Sequence, residues 1–339
     1  MKQWFFSSDP IRLVGAISLA SARFMLDRVG SCWIDLDHDD RRFDGEIEMD
    51  HGIQSQRHGV ALEAVRGISH IATLPEVTVR IIELVNDPDS SARDLHCLIA
   101  TDPALTARML KVVNSAFYGL PRQIASINRA VSLLGINAVK NIAVAASLAK
   151  LFRGGDLGPH FDAHDLWRHS CVTASTARII AKSNRKNAID EAFLGGLIHD
   201  VGVLVELQHD RAGFAEAVAR AAAGQDLRAC ERACLGNDHE GFGAALCEHW
   251  KFPSSLVWVA GNHHDPVSVP MANRDLPMIV HVADRIAAEI AGGFTLDLQS
   301  GGIAPEALDC LGLDPVSLEA IRAEASMAAR EGGELLAAA

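Results

Sequence analysis

The chain is 339 residues long, 49% apolar and 5% aromatic, with a formal charge of −12. That apolar content supplies a large core, and the acidic balance argues against nucleic acid or an anionic membrane as the main partner, since both are held by concentrated Lys and Arg. Ala and Leu fill the periodic segments and period-two alternation is scarce, so the expected fold is all-α, two packed helical lobes.

Residues 1–58 read as an N-terminal extension with an acidic linker. The run Asp35-Leu36-Asp37-His38-Asp39-Asp40 has the composition of a solvated loop, and it lacks the alternate-position acids, central Gly and closing Glu of a calcium loop. The apolar run Leu13 to Ala22 follows too thin a basic start for a signal peptide. No uninterrupted apolar stretch is long enough to span a bilayer. The seven cysteines, Cys32, Cys97, Cys171, Cys230, Cys234, Cys247 and Cys310, are odd in number and lie mostly in apolar helical runs. Free thiols in a reducing cytoplasm fit that pattern better than a disulfide framework.

Residues 59–153 read as a helical N-terminal lobe. Pro75 opens a helix, and Ser91 with Asp94 has capping-box spacing. Asp102-Pro103 is a further start, Ser126 begins a helix that Gly135 stops, and Asn137 is expected to cap another running to Phe152. This lobe has no clustered His, Asp and Glu, so binding or scaffolding is its expected role.

Gly154, Gly155, Gly158 and Pro159 mark a break, and the second lobe, 154–292, carries the chemistry-bearing residues. His169 shares a helical face with Leu166, Val172 and Thr176 and so points inward. The apolar run Ala192 to Ile198 ends abruptly in His199-Asp200, a pair that is costly to bury without partners. Asp238 can cap a helix with His239 in its first turn. His263-His264 come just before the helix-stopping Pro266, and Asp284 lies mid-way along an amphipathic helix over 276–290. Mixed imidazole and carboxylate donors suit zinc, manganese or iron better than calcium, and a carboxylate can bridge two such ions about 4 Å apart. A separate zinc site from Cys230, Cys234 and His239 has suggestive spacing but lacks a closed four-ligand set. Pro305 and Pro315 start helices in a C-terminal helical tail, 293–339.

The order His, His-Asp, His, His-His, Asp resembles the HD superfamily of metal-dependent phosphohydrolases. More narrowly, the chain resembles the HDOD family of bacterial signalling proteins. The likeness rests on Leu74-Pro75, Asn114 to Gly119, Ala130 to Gly135, Gly196 to Gly202, and His239 to Pro253 with Gly243 and Trp250, and it covers about residues 60–292. The resemblance implies a helical lobe packed on an HD-like helical bundle. It also implies metal ligands at His169, His199, Asp200 and Asp284, the family's core positions. His239, His263 and His264 match the additional ligands of the HD-GYP relatives that cleave cyclic dinucleotides. Two departures accompany this set. Val203 stands where active relatives have a phosphate-contacting lysine, and no Gly-Tyr-Pro follows the paired histidines.

Two functions are therefore expected, on different grounds. One is a non-catalytic signalling module, cytoplasmic, with a metal- or nucleotide-binding HD-like lobe and a surface for a signalling protein partner. The other is a phosphohydrolase or phosphodiesterase for a nucleotide or cyclic dinucleotide. It would use one or two divalent ions (Fe, Mn or Zn), with Asp200 as catalytic base or bridge and Arg168 or Arg285 replacing the missing lysine.

Overall fold

The computed structural model describes residues 56–68, 74, 76–87, 89–114, 120, 122–152, 160–184, 188–291, 294–296 and 302–331. All belong to one compact unit, Asp50–Ala339. The acidic run after Asp35, Cys32, Pro75 and the Ser115 to Gly119 motif lie outside the described residues.

Among the described residues there are helices and no strands, as the composition predicts. A first helix, α1, spans 56–67. It is followed by α2 Glu76–Asn86, α3 Ala92–Ile99, α4 Pro103–Val113, α5 Ile127–Leu134 and α6 Ile136–Leu148, the last running into a tighter turn, Ala149–Phe152. Start signals in the sequence act as caps. Ser91 and Asp94 form a reciprocal capping box, and the Asp102 carboxylate and Ser126 hydroxyl accept backbone N–H bonds from Leu105 and Arg129. Asn137 is not a cap. Gly135, at φ 86°, ends α5 and directly begins α6, so Asn137 falls within the first turn. A single left-handed glycine thus replaces the loop and cap that Asn137 was expected to provide.

Helix α6 is the pillar of this half. Every residue from Ala138 to Leu148 is buried, because α2, α4 and α5 pack on it on one side and α8 on another.

The second half begins with α7 Ala163–Ser183 and continues through α8 Ile189–Ile198, α9 Val201–His209, α10 Arg211–Ala222, α11 Leu227–Leu235, α12 His239–His249 and α13 Ser254–Asn262. It then runs through α14 Asp275–Ala291, α15 Pro305–Leu311 and α16 Pro315–Glu331, with both prolines at helix starts as read. Helices α7, α8 and α14 pack on one another, while α12 packs against α9 and α13. Two glycines set the spacing. A Cβ on Gly196 would meet the α7 backbone at Ala174, and one on Gly202 would run into the His239 carbonyl of α12. These close approaches bracket His199 and Asp200.

Candidate metal centre

His199 and Asp200 sit where α8 ends and α9 begins, with no loop between the two helices. His169 comes from the second turn of α7. His239 opens α12 behind the Asp238 cap, His263 and His264 follow α13, and Asp284 lies mid-way along α14. All seven expected residues therefore meet. Six of them are fully buried, and His264 is 8% exposed.

Their side chains converge on each other more than they bond to each other. His169 Nε2 donates to Asp284 Oδ1 at 2.8 Å. His199 Nε2 lies 3.1 Å from Asp200 Oδ2 and 3.5 Å from Asp284 Oδ1. The other oxygen of Asp200 lies 3.3 Å from His263 Nε2 and 3.9 Å from His239 Nε2. His239 Nε2 and His264 Nε2 are 3.0 Å apart. Yet His199 Nε2, His263 Nε2, both Asp200 oxygens and Asp284 Oδ2 have no aligned hydrogen bond although each is sealed from water. Orphaned polar atoms this deep are rare, because each loses its solvation without compensation. Nitrogen and oxygen atoms directed at a shared point are what a transition-metal ion accepts. Ligand atoms of His169, His199 and Asp200 all lie within 4.8 Å of one another, and so do those of Asp200, His239, His263 and His264. Asp200 is common to both groups.

The far sides of the imidazoles are held in turn. His199 Nδ1 donates to the Gly196 carbonyl at 2.8 Å and His263 Nδ1 to the Val259 carbonyl at 3.2 Å. His239 Nδ1 donates to Glu231 at 2.8 Å, a fully buried carboxylate on α11. Such partners fix the tautomer that leaves Nε2 as the ligand atom. The His264 backbone N–H donates to Glu240 at 2.9 Å, and Arg228 holds the other Glu240 oxygen at 3.0 Å. His281 donates to the His263 carbonyl at 2.7 Å and accepts from the Ala304 N–H, tying the centre to the C-terminal segment.

Burial opposes every charge here, and proximity decides the outcome. It would raise Asp200 and Asp284, but the neighbouring imidazoles outweigh it and hold both carboxylates well below their usual range. Burial would likewise strip the protons from His199 and His239, yet Asp200 and Glu231 respectively push them well above the ordinary imidazole value. At His264 burial wins, aided by His263 and His239, and the ring is held well below that value. Glu206 is raised well above a normal carboxyl by burial and by facing Glu231.

Sequence reading had not singled out Glu206, Glu231, Glu240 or His281. Glu206 had a visible signal, being the lone charge in the apolar run Val201 to Leu207. Glu231 and Glu240 had none, because an acid between helical polar residues usually faces solvent. Cys230 and Cys234 take no part. His239 turns to the histidine cluster, Cys230 Sγ faces Gln225, and no cysteine joins a ligand cluster among the described residues. Arg168 pairs with Asp165 along α7 at 3.1 Å.

The chain matches the HDOD domain family over residues 71–266. It belongs to that family. An HDOD domain protein of unknown function from Geobacter sulfurreducens is 25% identical, with a TM-score of 0.64 over 80% of this chain and 97% of that one. A candidate signal transduction protein from Marinobacter aquaeolei, 21% identical, shares the fold at TM-score 0.68 over 85% of this chain and 66% of that one. A candidate phosphohydrolase from Shewanella amazonensis, 24% identical, does so at 0.65 over 82% and 97%. An uncharacterised protein of Treponema pallidum is 26% identical over 237 residues, which is 68% of this chain and 44% of that relative. The HDOD match begins before α2 and ends at Pro266, so Asp284 lies beyond it.

No helix among the described residues is long and apolar enough to cross a membrane.

Proposed function

We propose that this HDOD protein is a regulatory signalling module whose buried histidine and aspartate centre holds one or two divalent ions (Fe, Mn or Zn) as part of its architecture, without turnover. The observation that carries this reading is the sealing of the centre, in which no ligand residue is more than 8% exposed. Ligand atoms this shielded leave a bulky phosphoester far less access than a small ion has. The ion supplies the positive charge that the orphaned oxygens of Asp200 and Asp284 lack, and His169, His199, His239, His263 and His264 complete its donors. Val203 supports the same reading. It is fully buried within the apolar core, so the position that carries a phosphate-contacting lysine in active relatives offers no cation here. The helices α1–α6 hold no ligand cluster among the described residues and are the assigned surface for a signalling protein partner.

One observation favours a second reading, a metal-dependent phosphohydrolase acting on a nucleotide or cyclic dinucleotide. Asp200 is shared by two donor groups, as in centres where a carboxylate joins two ions for phosphoester hydrolysis. In that case Asp200 would help hold the ions or act as base, and the ions would supply Lewis acidity. Elemental analysis of the purified full chain, followed by turnover assays with Mn, Fe or Zn on a panel of phosphoesters, separates the two. Stoichiometric metal with no turnover is the expected result. Turnover abolished by His199→Ala and Asp200→Asn would establish the hydrolase instead, and metal-free protein after loading would remove both readings.

A further inference from the structure

Away from the histidine centre, α2 and α6 meet the starts of α8 and α13 around a cavity of about 400 Å³. That is within the range of small-molecule sites, roughly 300–1,000 Å³. Its walls carry both signs of charge. From α6 come Lys140 and Asn141, only 4% and 8% exposed, and from the first turn of α8 come Asp190 and Glu191. Pro253 and Leu256 contribute an apolar side.

Three of these groups are under-used. The Lys140 ammonium has three donors and, among the described residues, makes one bond, to the Asp87 carbonyl at 3.3 Å. Burial pushes it below its ordinary value, partly offset by Asp87. The buried amide of Asn141 has no hydrogen-bond partner among the described residues, and the half-buried Asp190 carboxyl is raised by desolvation in spite of Arg178. Glu191 differs, since the Ser255 hydroxyl donates to it.

The mixture of signs restricts the ligand. A simple anion drawn to Lys140 would also face Asp190 and Glu191, and a simple cation drawn to Asp190 would face Lys140. A molecule that carries both charges can satisfy each wall. We propose that this cavity binds a small zwitterion of the free amino-acid type, its carboxylate against Lys140 and Asn141 and its ammonium against Asp190. The occupant would touch both halves of the unit and rest on the first turn of α8. That helix carries His199 and Asp200 at its other end, about 15 Å away at 1.5 Å per residue.

The test is calorimetric titration of the full chain with each proteinogenic amino acid, with acetate and methylamine as single-charge probes. Saturable binding of at least one amino acid is expected, stronger than either probe. Lys140→Met and Asp190→Asn, each checked for native circular dichroism, should weaken it about tenfold or more, whereas Met271→Ala, at an exposed residue outside the cavity, should leave it unchanged. The proposal is overturned if no amino acid binds saturably. It is equally overturned if acetate binds as well as the amino acid and Asp190→Asn has no effect, or if methylamine does and Lys140→Met has none.

Discussion

Two adjacent glycines on α8 should respond to alanine in opposite ways. At Gly196 a Cβ would stand 2.7 Å from Ala174 Cα, 2.9 Å from its nitrogen and 2.9 Å from the Thr173 carbonyl oxygen, whereas ordinary contact begins near 3.4 Å. All three obstacles are α7 backbone and cannot rotate aside, so the helices must part by about 0.7 Å. Overpacking of this kind costs about 3 kcal/mol, a fall of about 5 °C in Tm. The displacement also reaches the metal centre, because His169 lies one turn before Thr173 and the Gly196 carbonyl holds His199. At Gly195 the nearest atoms are side-chain carbons of Val259, Val280 and Leu256 at 3.5–3.6 Å. Alanine fits there and gains up to about 1 kcal/mol of helix propensity. Differential scanning calorimetry with metal titration should therefore show Gly196→Ala less stable and weaker for metal, and Gly195→Ala at or above the parent. Equal melting of the two variants would refute the claim that backbone contact sets the α7–α8 spacing.

Glu231→Gln should lower metal affinity about 10- to 100-fold by loosening His239, while Glu206→Gln, which replaces a carboxyl that burial and Glu231 push towards its neutral form, should leave affinity within a few-fold; competition with a chromogenic chelator measures both. In chelator-treated protein, the stabilisation from raised His199 and His239 is complete below the ordinary imidazole value of 6.5 and fades as pH rises through their higher folded values. That from lowered Asp200 and Asp284 is present above 3.8 and fades as pH falls through their lower folded values. Denaturant unfolding of the metal-free protein should accordingly show these contributions lost towards both acid and alkaline pH, and stability still rising well into the alkaline range would contradict the assignments. Metal needs the same imidazoles neutral, so affinity should rise with pH and protons should be released, visible as buffer-dependent heats in calorimetry. Val203→Lys should destabilise by several kcal/mol, as a buried unpaired ammonium does, without creating phosphoesterase activity; a folded variant with turnover would show that the position opens onto the site.

The residues that cluster in the buried centre were legible in the sequence because they break a local pattern. His199-Asp200 interrupts an apolar helix, His169 lies on a core-facing stripe, and Asp284 sits among Val280, Ala283 and Ala287, all buried. Capping residues were legible for the same local reason, being side chains that satisfy backbone a few residues away. What stayed hidden depends on distance in the chain. Glu231 and Glu240 become partners of His239 and His264 only once α11, α12 and α13 pack together, and no spacing rule encodes that meeting. Lys140 and Asn141 looked like ordinary polar positions in α6, and burial on all sides of that helix gives them their unusual setting. Asn137 misled because a Gly135 with positive φ can end one helix and start the next without a capping side chain.

A carboxylate belonging to both donor groups makes their occupancies interdependent. If both groups held an ion, Asp200 would serve both, so the two affinities would be linked and each ion would weaken the other by the same factor. Loading should then proceed in two unequal steps, with the second ion exchanging freely at concentrations where the first is retained.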